Sequence, residues 1–158
     1  MTYLVWNILL ALTWAAMTGS LALPNLAVGF VLGYAALRLT LSAVRLPPYF
    51  LRVPRALAFL AFLLYDVLRA NLRVAYDVVT PRHHMRPGVV AVPLEEGLTH
   101  EEIATLASAI SLTPGTLSLD VSDDRRTLYI HAMYIDDADA LRRQILDGYL
   151  RRVLRVTR

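Results

Sequence analysis

The chain has 158 residues, 56% of them apolar, with a net charge of +3 and a positive mean hydropathy, a balance that excludes an ordinary single water-soluble domain. It has no cysteine, which excludes disulfides, thiolate metal sites and a thiol nucleophile. All sixteen basic residues are arginine: residues 38–86 hold eight against two acids, a net +6, and residues 87–158 hold eight against eleven, a net −3.

Residues 1–37 contain no Asp, Glu, Lys, Arg or His, and the first charge is Arg38. A signal peptide would need a basic start and a short apolar core, and this stretch has neither. As one straight helix it would measure roughly 55 Å against about 30 Å of hydrocarbon, so it is expected to fold back on itself. Thr18-Gly19-Ser20 and Pro24-Asn25 mark the bend, giving helices at about 3–17 and 26–44. Pro47-Pro48 then separates this hairpin from a third segment, about 53–79, in which Arg52, Arg55, Asp66, Arg69, Arg73 and Asp77 project along one stripe. Three inserted helices are expected, with two plus an interfacial helix left open. Four arginines precede the third segment and four follow it, so a spanning segment leaves the positive-inside tally tied. The basic half adjoins the apolar one, which suits an anionic lipid bilayer and not nucleic acid.

Residues 81–87, "PRHHMRP", form a linker between a membrane part, residues 1–80, and a soluble part, residues 88–158. Val90, Val92 and Leu94 alternate as a strand. Thr99 and Glu102 form a capping box, ahead of Ile103, Leu106, Ala107 and Ile110 at helical spacing. Thr113-Pro114-Gly115-Thr116 fits a type II turn, with proline at the second position and glycine supplying positive φ at the third. Leu117, Leu119 and Val121 alternate with polar residues in a second strand, residues 122–126 form a hairpin loop, and Leu128, Ile130, Ala132 and Tyr134 give the return strand. A last helix has acids in its first turn, arginines at its end, and Leu141, Ile145, Tyr149 and Val153 on its apolar face. The soluble order βαββα is a ferredoxin-like unit lacking its last strand, behind two to three membrane helices. The missing strand leaves the one around residues 89–94 as an edge, expected to be covered by the linker or by a partner and partly blunted by Pro93.

Few residues carry chemistry. Ion movement through a bilayer needs ionisable or carbonyl groups at membrane depth, and the first two helices have no ionisable side chain of that kind. Asp66 is the one acid in an apolar setting; it either pairs with Arg69 or a partner's base at the membrane boundary, or lines an ion path shared with a neighbouring subunit. Gly29 and Gly33 lie on one helical face and allow close approach of another helix, expected at a subunit interface or in assembly. His83-His84-Met85 reads as solvated linker, since adjacent side chains do not converge on one ion. No nucleophile, base and orienting group occur together, so an enzyme is not expected.

The charge-free hairpin with "TGSL" at its bend, the apolar third segment, and a βαββα tail carrying "SLTPGTLSLDV" and "LYIHAMYID" resemble the E-type subunit (MnhE/MrpE family) of the multisubunit Mrp-type Na+/H+ antiporter over nearly the whole length. The resemblance implies an accessory, non-catalytic and cofactor-free subunit in a bacterial cytoplasmic membrane complex that exchanges Na+ for protons. Its partners would be two large ion-translocating subunits and several small membrane subunits. It also implies a multi-pass chain with a cytoplasmic tail, and a role for the Thr113, Pro114, Gly115 and Thr116 corner in assembly. The alternative is a freestanding membrane-anchored ligand-sensing or adaptor protein.

Overall fold

The computed structural model describes residues 2–42, 49–81 and 84–158. Arg45, Pro47-Pro48, the end of the second expected helix, and Arg82 and His83 of the expected linker lie outside the described residues. The chain forms two compact units, Met1–Pro54 and Arg55–Arg158.

The first unit is a helical hairpin of α1 (Thr2–Thr18) and α2 (Leu23–Ser42), followed by the start of α3 (Tyr49–Val79). Gly19, at φ +67°, ends α1. Ser20 N–H donates to Ala15 O and Gly19 N–H to Ala16 O, the two bonds of a Schellman cap, which needs a residue tolerant of the left-handed region. Asn25 ties the bend together: its amide donates to Thr18 Oγ1 and Ser20 O, and its carbonyl oxygen accepts from Trp14 Nε1. Pro24 does not hold α2 off until residue 26. It sits inside the first turn, where its missing N–H has no helical partner to lose.

Asn7, Ala11 and Ala15 are buried along one stripe of α1 and meet the two glycines of α2. A Cβ at Gly29 would stand 3.0 Å from Ala11 O, and one at Gly33 2.6 Å from Asn7 Oδ1. Asn7 also donates to Tyr49 Oη at 2.9 Å. Pro54 lies inside α3 and cannot donate to Phe50 O; the Tyr34 hydroxyl donates to that carbonyl instead, at 2.9 Å. Among the described residues one stretch, Leu23–Leu41, is long and apolar enough to cross a membrane.

In the second unit, the remainder of α3 leads to β1 (Gly88–Pro93), α4 (His100–Ser111), β2 (Thr116–Val121) and β3 (Thr127–Ala132). The antiparallel sheet has the order β1-β3-β2, so β1 and β2 run parallel on either side of β3 and α4 crosses between them. The chain ends in α5 (Ala138–Arg143), a π-helical stretch (Gln144–Leu150) and α6 (Arg151–Thr157), which follow without a break. Helices cover one face of the sheet around Val92, Leu106, Leu128, Ile130 and Leu150, and Phe59, Phe62 and Leu63 of α3 pack onto this core.

The expected capping box is formed: Glu102 N–H donates to Thr99 Oγ1 at 3.2 Å, and Thr99 N–H to Glu102 Oε2 at 3.0 Å. The Thr113–Thr116 turn has Gly115 at φ +88° and Thr116 N–H donating to Thr113 O, as a type II turn requires.

β2 departs from its alternation. Leu117 and Leu119 are half exposed on the open face of the sheet, whereas Ser118 turns towards α4 and donates to Ala107 O. The pairing with β3 slips between Ser118 and Asp120, a bulge that leaves Leu119 without an opposite residue. On β1, the outward carbonyl of Ala91 accepts from Arg142 Nε at 2.8 Å, and Pro93 has no N–H to offer, so both blunt the free edge.

Candidate functional site

Six of the eight residues singled out from the sequence line one cavity of about 410 Å³ in the second unit. Asp66 and Arg69 come from α3, and Thr113, Pro114, Gly115 and Thr116 from the corner between α4 and β2. Arg73, Tyr134 and Gln144 complete the polar part of its wall. The other two, Gly29 and Gly33, face α1 of the same hairpin.

Asp66 is held from the domain side. The Tyr149 hydroxyl donates a short hydrogen bond to Asp66 Oδ2, and Thr113 Oγ1 lies 3.0 Å from the same hydroxyl. The phenol proton goes to Asp66, so the Thr113 hydroxyl donates to Tyr149, and Tyr149 links the helix to the turn. Tyr149 is buried, 4% exposed; burial first, and the neighbouring Asp66 carboxylate second, push its phenol above the usual range. The π-helical stretch positions it, and Phe62 packs edge-on to its ring at 5.2 Å. Among the described residues no ion pair joins Asp66 to Arg69.

The arginines lie on the next turns of α3. Arg73 stacks its guanidinium 3.9 Å over the Tyr134 ring and reaches the exposed Asp136 at 3.6 Å. Further along, Asp77 is 3% exposed and its Oδ1 lies 3.2 Å from His84 Nδ1. Asp77 Oδ2 and the Tyr134 hydroxyl are buried without a partner in hydrogen-bonding geometry. The carboxylate is still near enough to be the main cause that raises the Tyr134 phenol, ahead of burial.

Glu102, away from the cavity, anchors the end of α6. It accepts from Arg158 Nε at 2.9 Å and from Thr157 Oγ1 at 3.0 Å. The Arg158 guanidinium, helped by the Thr99 amide, holds its carboxyl down at about 2.

Sequence reasoning missed Tyr149, Tyr134 and Arg73 as members of the site. Tyr149 was legible only as part of an apolar face, although a buried tyrosine needs a partner for its hydroxyl, and Asp66 is that partner. This wall supplies hydrogen bonds and positive charge, and it brings no nucleophile, base and orienting group together.

A family profile described as "Na+/H+ ion antiporter subunit" matches residues 7–156. The chain belongs to this family. It is 34% identical over 152 residues to the E-type Na(+)/H(+) antiporter subunit of Alkalihalophilus pseudofirmus, with 96% of each chain covered. Against the E-type subunit of Bacillus subtilis it is 32% identical over 153 residues, again with 96% of each covered. Among solved structures, a chain of the membrane-bound sulfane sulfur reductase, an archaeal respiratory membrane complex, matches with a TM-score of 0.56 and 29% identity, covering 96% of this chain and 98% of that one. As a member of the antiporter subunit family, the chain is a transporter component, one part of a multisubunit Na+/H+ antiporter with the other subunits as its partners.

Proposed function

We infer that the chain is an accessory, non-catalytic subunit that contributes to assembly and stability of a multisubunit antiporter exchanging Na+, or another monovalent cation, for protons. The observation that carries this reading is the character of the hairpin. Its 37 leading residues hold no acidic, basic or histidine side chain, whereas moving ions through hydrocarbon calls for groups that replace water around the charge. Asp66, the acid nominated for an ion path, is occupied by Tyr149 and serves as a tether between α3 and the domain.

The multi-pass arrangement in a bacterial cytoplasmic membrane, with residues 88–158 on the cytoplasmic side, belongs to the same proposal. So does a ferredoxin-like identity for the soluble part, supported by the strand order β1-β3-β2 with α4 as the crossover. The Thr113–Thr116 corner contributes to assembly by shaping the domain surface next to α3.

Purification in mild detergent through a tag on this chain tests the reading. The antiporter's large membrane subunits should co-purify, and their recovery should fall when this chain is deleted. Purification of the chain alone, with complex recovery unchanged on its deletion, contradicts it.

A further inference from the structure

Within the second unit, α3 has a side that the domain does not cover. Projected at about 100° per residue, Leu57, Leu60, Leu64, Leu68, Leu72 and Val79 fall within an arc of roughly 120°, and each is more than half exposed. Asp66 and Asp77 project to the opposite side, with Phe59 beside them, where the helix meets its own domain. A continuous stripe of this kind on a surface marks a site of association, and in a chain with a helix long and apolar enough to cross a membrane the partner nearest to hand is lipid.

Arg69 stands on the border between the two sides, about 60° beyond Leu72 in the same projection, with Arg73 one turn further on. Both line the cavity next to the Thr113–Thr116 corner. Arg69 has no hydrogen bond or ion pair among the described residues. Arg73 is oriented by the Tyr134 ring; its acidic neighbours among the described residues are Asp136, which it reaches at 3.6 Å and which is exposed and contributes little, and the buried Asp77, on which its charge acts less than Tyr134 and His84 do. The cavity wall thus holds two arginines against one carboxylate, and that carboxylate already accepts from Tyr149.

We propose that this border is a binding site for an acidic phospholipid, with the headgroup phosphate between Arg69 and Arg73 and an acyl chain along the leucine stripe. Guanidinium groups match phosphate oxygens with paired N–H donors. A cavity of about 410 Å³ accommodates a phosphoglycerol headgroup, and the apolar stripe begins where the arginines end. A free phosphate would use the arginines but leave the stripe uncovered, and an acidic segment of a partner subunit is the competing occupant. The proposal rests on the membrane association of the chain and is independent of its non-catalytic role in transport.

The test uses the full chain in nanodiscs made from equal parts phosphatidylcholine and phosphatidylglycerol, with the lipids that stay bound after detergent extraction counted by native mass spectrometry. The wild-type chain should retain phosphatidylglycerol selectively. Arg69→Gln, which breaks no internal contact, should lower that selectivity about fivefold, the contribution of one arginine at an anionic surface. Arg73→Gln should act in the same direction, while Arg155→Gln on α6 should leave selectivity unchanged.

Equal retention of the two lipids overturns the proposal, as does an equal loss in the Arg155→Gln control, which would mean diffuse charge. Displacement of the lipid by inorganic phosphate at matched ionic strength overturns the lipid source. Retention by the isolated chain but not by the assembled complex assigns the site to a partner subunit and overturns the proposal too. A chain that fails to enter nanodiscs at all refutes the membrane reading itself, an outcome separate from loss of selectivity.

Discussion

Removing the Tyr149 hydroxyl leaves the half-buried Asp66 without this donor and the buried Thr113 with only its long bond to Ala109 O. Tyr149→Phe should therefore destabilise the second unit by about 1–3 kcal/mol, read as a lower unfolding midpoint of the detergent-solubilised chain. Asp66→Asn, which can still accept from the phenol, should lose less; equal losses would show that charge and not the hydrogen bond is what matters. Glu102 makes a second residue-scale prediction. Its carboxyl is held at about 2 by Arg158, below its unfolded value of about 4.3. The resulting stability is complete above the unfolded value and is lost as the pH falls from there towards 2. Glu102→Gln keeps a capping side chain but not the ionic contact, so its unfolding midpoint should vary less over that window than the wild type's. A parallel pH profile for the two would show that Arg158 contributes nothing.

Helices and strands show how much the sequence reveals and where it stops. The capping box at Thr99 and the turn at Pro114-Gly115 were legible because each is set by local chemistry within four residues. The bend at Gly19 was legible for the same reason, since its φ of +67° favours glycine. The side of β2 that faces the core was not. Alternation specifies that Leu117 and Leu119 share a face, but the bulge after Ser118 and the serine bond to α4 decide which one. Pro24 was read as part of the bend, yet it lies in the first turn of α2; Pro54 lies inside α3, where Tyr34 bonds the carbonyl it leaves free. Of the candidate site, the contributing segments were legible and their convergence was not, because Tyr149 reaches Asp66 across 83 positions of chain. At this scale the sharpest expectation concerns the hairpin. Gly33→Leu places a side chain where Asn7 Oδ1 stands 2.6 Å and Leu10 Cβ 3.0 Å from an ideal Cβ, so Asn7 must swing aside and α1 and α2 must shift apart to admit the rest of the leucine. Overpacking of this kind costs about 1–3 kcal/mol, and thermal unfolding in detergent should show it more strongly than for Gly29→Ala, whose added methyl meets neighbours at 3.0 Å.

For the molecule as a whole, chemistry is distributed unevenly. The hairpin offers hydrocarbon-compatible surface and no charge before Arg38, while the second unit gathers all the carboxylates, most of the arginines and the cavity. Such a chain can anchor, pack and recognise, but it has no run of ionisable groups through the apolar part from which to build a route for Na+ or protons. Under the proposed accessory role, transport belongs to the partner subunits of the antiporter. The most direct measurement is Na+-driven proton movement in sealed vesicles containing either the purified chain alone or the purified complex, followed with a pH-sensitive dye. The account expects exchange from the complex and none above empty vesicles from the chain alone; robust exchange by the isolated chain would contradict it.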